Sequence, residues 1–108
     1  MTNEQLKDLV VTVSMNHGFG KEYYSYQIPS NFTPEFDSKM VGDFLNSEQV
    51  LKGINEFNIQ NWESIFSSVI NHISSLCSTG GDFGIKKIEK TFSEFPSLIV
   101  SISYEVRS

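Results

Sequence analysis

Apolar side chains recur through residues 62–77 at the three- and four-residue steps of one helical face: Trp62, Ile65, Phe66, Val69, Ile70, Ile73, Leu76 and Cys77. At ~100° per residue they fill an arc of roughly 140°. The opposite arc reads Ser64, Ser67, Ser68, Asn71, Ser74, Ser75 and Ser78, and no charged side chain lies between Ser64 and Gly81. Solvated helix faces usually carry Glu, Lys and Arg, which favour helix and solubility. A serine face therefore suggests a second covered surface. Thr79-Gly80-Gly81 supplies the glycine that ends such a helix.

Two-residue alternation governs both ends of the chain. Leu9, Val11, Val13 and Met15 alternate with Val10, Thr12 and Ser14, which predicts a strand with one buried face. The turn residues Asn16 to Gly20 break it, and Lys21 to Ile28 resume as a second strand that Pro29 closes, so residues 6–28 read as a hairpin. Near the other end, Leu98, Val100, Ile102, Tyr104 and Val106 point one way and Ile99, Ser101, Ser103, Glu105 and Arg107 the other. Residues 85–94 suit a helix as well as a strand; the turn-like Glu94-Phe95-Pro96-Ser97 favours a second hairpin.

Two shorter helices are predicted between these ends. Thr33-Pro34-Glu35 combines a capping hydroxyl, a proline at the first helical position and an acid in the first turn. Phe36, Met40 and Phe44 follow at four-residue spacing, while Gly42 weakens that helix by about 1 kcal/mol relative to Ala. Ser47 caps the next, with Val50, Leu51, Ile54 and Phe57 on one face and Glu48 placed to pair with Lys52.

The resulting order, ββ-ααα-ββ in one domain spanning residues 1–108, predicts an α+β fold: an antiparallel sheet of about four strands with helices packed on one face. Three helices exceed what one side of so small a sheet needs. The long helix is accordingly expected between the sheet and the other two, with its serine face first an internal seam, ahead of a partner-covered or plainly exposed face.

Composition narrows the possible functions. Eight Lys and Arg against thirteen Asp and Glu give a net charge of −5, which repels nucleic acid and attracts basic protein surfaces. The acids concentrate upstream of the long helix, at Glu35, Asp37, Asp43, Glu48, Glu56 and Glu63, against Lys39 and Lys52. No segment approaches the ~18 apolar residues of a membrane span. With a lone Cys77 on an apolar arc and no export signal, the expectation is a cytoplasmic protein with a reduced, buried thiol. The sequon Asn31-Phe32-Thr33 is then a chance match.

Catalytic and cofactor signatures are weak. His17 sits in a glycine-rich turn and His72 at the edge of the long helix's apolar arc, and neither has the close ligand company of a metal site, so no metal or other cofactor is expected. There is no nucleophile elbow, and Cys77 reads as buried rather than activated. Gly80-Gly81-Asp82-Phe83-Gly84 contains the letters of a kinase metal-binding motif without the rest of a kinase, and it follows a helix and precedes a strand, the wrong order for a phosphate loop. His17 to Tyr24 partly echoes an RNA-binding octamer, yet Lys21 and Glu22 fall where that motif wants an aromatic and an aliphatic residue. An enzyme using His17 with tyrosines or carboxylates is one alternative reading, and a homodimeric structural or regulatory protein another.

In size, charge and architecture the chain resembles bacterial immunity proteins that neutralise toxic nucleases, including those of contact-dependent inhibition systems. The resemblance implies a non-catalytic protein whose carboxylates occupy the cationic substrate site of a basic toxin, with tyrosines as anchors. The acidic candidates are Glu35, Asp37, Asp43, Glu48 and Glu56, and the aromatic ones Phe19, Tyr23, Tyr24 and Tyr26. Complementary charge would speed association roughly 10- to 1,000-fold at low salt, and buried anchors would slow dissociation.

Overall fold

Alternating β-branched and aromatic residues build four strands in the computed structural model, which describes residues 7–16, 20–30, 33–80, 86–94 and 98–106. The strands are β1 (Lys7–Asn16), β2 (Lys21–Ser30), β3 (Lys87–Glu94) and β4 (Leu98–Val106), paired antiparallel in the order β2-β1-β4-β3. Both predicted hairpins are present, and residues 87–94 are strand rather than helix. β2 runs through Pro29 to Ser30; it is an edge strand, where a missing N–H is tolerated.

Register sets the two faces of the sheet. Val11 lies opposite Tyr26 on one side and Ile102 on the other, so Leu9, Val11, Val13 and Met15 share a face with Leu98, Val100, Ile102 and Tyr104. All eight are fully buried. The other face carries Tyr23, Ser14, Ile99 and Ser93 in one row and Ser25, Thr12, Ser101 and Thr91 in the next. Thr91 and Ser101 share a cross-strand hydroxyl bond of 3.2 Å there.

Three helices cover the apolar face: α1 (Pro34–Leu45), α2 (Glu48–Glu56) and α3 (Trp62–Gly80). Thr33 is the N-cap of α1 with Pro34 at the first helical position, although its hydroxyl does not make the expected cap bond, and Ser47 Oγ caps α2 by accepting the Val50 N–H at 3.4 Å. The end of α2 was less legible. Asn58 adopts φ 54° there, and the Asn58 and Ile59 N–H groups bond the carbonyls of Asn55 and Ile54, a Schellman cap with asparagine in the usual glycine place. Lys52 pairs with Glu56 at 3.9 Å rather than with Glu48, the predicted partner.

The expected stacking of α3 beneath the other helices is corrected. A four-stranded sheet is about 19 Å wide, room for two helices of about 10 Å side by side. Asp37 near the start of α1 bonds Ser30, Phe44 near its end stacks on Tyr26, and Gly53 of α2 meets Tyr24, so α1 and α2 follow each other along β2. At 1.5 Å per residue, their 12 and 9 residues together roughly match the 19 of α3, which covers the β4-β3 half. The helices form one layer. α1 packs against Phe66 and Ile70 on the flank of α3, and Ser64, Ser67, Asn71, Ser74, Ser75 and Ser78 remain exposed, with Ser68 half-buried.

The inner face of α1 also differs from the one its aromatics suggest. Asp37, Val41 and Leu45 are buried, Met40 and Phe44 are half-buried, and Phe36 is 47% exposed. A carboxylate occupies one of the positions at which α1 meets the core.

Candidate functional site

Two regions of the helical layer carry features beyond ordinary packing. The first is inside the molecule. The four-residue spacing of Asp37, Val41 and Leu45 turns Asp37 toward the sheet, where Ser30 Oγ donates to its Oδ2 at 2.8 Å and Tyr104 Oη donates to the same oxygen at 2.5 Å. Asp37 and Tyr104 have no exposed surface, and among the described residues no donor reaches Asp37 Oδ1. Cys77 of α3 lies against Tyr104 and is buried.

Burial pushes the Tyr104 phenol far above its ordinary value, reinforced by the hydrogen bond and charge of Asp37 and by Cys77. The Cys77 thiol is also raised, first by burial, with the Tyr104 hydrogen bond opposing and the charges of Asp37 and Glu35 adding. Both groups are held in their protonated, unreactive forms at neutral pH. The cluster links α1, β2, β4 and α3, but no substrate reaches it in this conformation.

The second region is open. Where α1 gives way to α2, Asn46 and Leu51 face the first two turns of α3, and a cleft of about 470 Å³ forms between them, lined by Asn46, Leu51, Trp62, Glu63, Phe66 and Ser67. Trp62 and Phe66 meet edge to face at a centroid distance of 6.4 Å, and both remain half-buried. Glu63, in the first turn of α3, is exposed.

The acidic and aromatic candidates fall into distinct places. Glu35, Asp43, Glu48 and Glu56 are exposed on the helices, with Asp43 paired to Lys39 at 3.0 Å and Glu56 to Lys52 at 3.9 Å. Asp37 is withdrawn from the acidic surface: it is fully buried and cannot touch a partner. Tyr24 and Tyr26 are half-buried against the helices. Tyr26 stacks on Phe44 at 5.1 Å, and partial burial, then the charges of Glu22 and Glu56, raise the Tyr24 phenol. Among the described aromatic candidates, Tyr23 alone is freely presented, 62% exposed on the opposite sheet face and thus separated from the acids.

Phe19 and His17 lie outside the described residues, as do Asn31 and Phe32 of the sequon and Gly81 to Gly84. His72 is half-buried, with Nδ1 3.0 Å from the Ser68 carbonyl oxygen and its ring edge-on to Phe92 at 5.1 Å. Among the described residues, no three His, Cys, Asp or Glu side chains converge as metal ligands, and no helix is long and apolar enough to cross a membrane.

Sequence reasoning missed Ser30 and Tyr104 as partners of Asp37: Tyr104 lies 67 positions away, and Ser30, though only seven positions away, belongs to a strand rather than to the helix of Asp37. It also missed the cleft. The one available signal was that Trp62 and Phe66 begin the apolar arc next to Glu63. Comparison of the chain with protein-family models, with curated proteins and with solved structures finds no match.

Proposed function

We propose that this chain is a non-catalytic protein-binding module, an immunity-type inhibitor whose partner is a basic toxic nuclease, acting in the cytoplasm. The observation that carries this reading is the separation of its polar groups. The clustered groups with chemical potential, Asp37, Tyr104 and Cys77, are buried in the core. The exposed carboxylates Glu35, Asp43, Glu48, Glu56 and Glu63 are spread over the helical layer, whose two lysines, Lys39 and Lys52, are each paired to an acid. Such a layer attracts a cationic surface and covers it without needing to transform it.

A homodimer formed through the uncovered sheet face is the second reading, favoured by Tyr23 at 62% and Ile99 at 47% exposure on either side of Ser14. Four outward rows of four strands span about 500 Å², below the ~800 Å² per partner of a standard interface. The helical layer ranks first because it carries the exposed carboxylates that would draw a basic partner.

Recovery of the tagged chain from its native cells tests the proposal, with identification of what co-purifies in stoichiometric amount. A basic nuclease whose activity the chain suppresses is the expected result. A 12.2 kDa chain that sediments as a dimer without companion supports the sheet-face reading instead. A retained small-molecule substrate with measurable turnover overturns the non-catalytic reading.

A further inference from the structure

The cleft at the junction of α1, α2 and α3 has an apolar wall and one charge. Trp62, Phe66 and Leu51 supply half-buried hydrocarbon and aromatic surface, Asn46 and Ser67 a polar rim, and Glu63 the carboxylate. The lysines of the helical layer are engaged elsewhere, Lys39 with Asp43 and Lys52 with Glu56. Glu63 lines the cleft together with the Trp62 and Phe66 rings, which meet edge to face at 6.4 Å. The cleft volume of about 470 Å³ exceeds that of any single side chain, leaving room for one inserted residue and its neighbours.

We infer that this cleft receives an arginine side chain from a basic protein partner, its stem against Leu51 and Phe66 and its guanidinium between the Trp62 ring and the Glu63 carboxylate. This rests on the protein-binding reading above and assigns that reading a place. Three features select arginine. A planar guanidinium stacks on aromatic faces and forks onto a carboxylate, and it sheds water more readily than the ammonium of lysine. The apolar wall matches the three methylenes of the stem, which buries beneath a charged head. The α3 N-terminus contributes about half a positive charge that opposes a cation, and the full charge of Glu63 outweighs it. An anionic or purely apolar occupant leaves either Glu63 or the polar rim unmatched.

The full chain, ¹⁵N-labelled, is titrated with acetyl-hexa-arginine amide at low and at physiological salt, with the hexa-citrulline peptide as an uncharged control of the same shape. Trp62 is the only tryptophan, so its indole N–H resonance and its fluorescence report on the cleft alone. The inference expects saturable shifts at Trp62, Leu51 and Phe66 with hexa-arginine and none with hexa-citrulline. Glu63→Gln weakens binding about fivefold and Glu35→Gln changes it less than twofold.

Shifts confined to residues around Glu35, Asp43 and Glu48, with Trp62 silent, overturn the cleft assignment while leaving the acidic-layer reading standing. Equal binding of the citrulline peptide overturns the role of charge. Absence of hexa-arginine binding anywhere at low salt overturns both. The comparison of the two peptides uses the unsubstituted chain and so does not depend on any variant folding.

Discussion

The Asp37 cluster and the Trp62 cleft lie on the same helical layer and divide its properties between them. The cluster has a phenol that meets both a carboxylate and a thiol, the ingredients of chemistry, and no access. The cleft has access, two aromatic rings and a carboxylate, and no nucleophile or base paired to act. Polar groups placed inside a core fix the arrangement of elements; those placed beside open apolar surface select partners. The contrast supports the recognition role proposed above.

Removing the cluster's acceptor breaks this comparison most severely. Asp37→Ala takes away two hydrogen bonds to a buried carboxylate, worth about 1.5–3 kcal/mol each, and relieves a cost of about 1–3 kcal/mol for the unpartnered Oδ1. The net expectation is a loss of about 2 kcal/mol or more, read as a drop of about 10 °C in thermal midpoint. An unchanged midpoint would remove the cluster from any structural role. Charge reversal at Asp37 is for the same reason useless as a probe of binding.

Alkaline pH probes the same cluster by a smaller step. Tyr104 and Cys77 keep their protons in the folded chain above their ordinary values of 10.0 and 9.0, whereas the unfolded chain releases them there. The unfolded state then binds fewer protons, so stability is complete below about pH 9 and falls as pH rises, by about 1.4 kcal/mol per pH unit for each group. Denaturant midpoints across pH 7–11 check this, and Tyr104→Phe, though less stable at neutral pH, shows the shallower fall above pH 10.

Two glycines sharpen the contrast between tight and open packing. A Cβ on Gly53 would stand 2.6 Å from Met15 Cε and 3.2 Å from Tyr24 Oη, and Met15 is fully buried. Gly53→Ala is expected to lose about 1 kcal/mol after its gain in helix propensity. A Cβ on Gly42 finds ordinary contact with Phe66 and Ile70 at 3.6 and 3.8 Å, so Gly42→Ala is expected to gain up to about 1 kcal/mol. Urea unfolding distinguishes the two signs. The smallest effect belongs to Ser75→Glu on the exposed serine face, within about 0.5 kcal/mol of the unsubstituted chain. A large loss there would restore the internal seam.

What could be read from the chain followed the strength of its periodicity. The alternation of Leu9 to Met15 and of Leu98 to Val106 dictated two strands and their buried face because one face had to leave water, while the pairing of β1 with β4 was not legible in it. The Trp62-to-Cys77 arc placed α3 for the same reason. α1 was placed but misaligned. Phe36, Met40 and Phe44 form a more apolar stripe than Asp37, Val41 and Leu45, and the sheet selects the second because Ser30 and Tyr104 supply donors for its carboxylate. Hydropathy does not encode a long-range donor. Nor did the serines reveal their exposure, since that depends on α1 and α2 lying end to end, a property of the layer and not of α3. Of the acidic candidates, Glu35, Asp43, Glu48 and Glu56 are exposed and Asp37 is not. The cleft, made by a junction of three helices, has no signature in any one of them.

The most direct test of the recognition account is the rate at which the chain associates with the basic partner that the proposal expects to co-purify, followed by stopped flow across salt concentrations. With Glu35→Lys, Asp43→Lys and Glu48→Lys combined, association is predicted to slow about 10- to 100-fold at low salt and to lose most of its salt dependence, while Tyr23→Ser on the far sheet face leaves it unchanged. An unaltered rate in the triple variant, or a loss confined to Tyr23→Ser, would contradict the assignment of recognition to the helical layer.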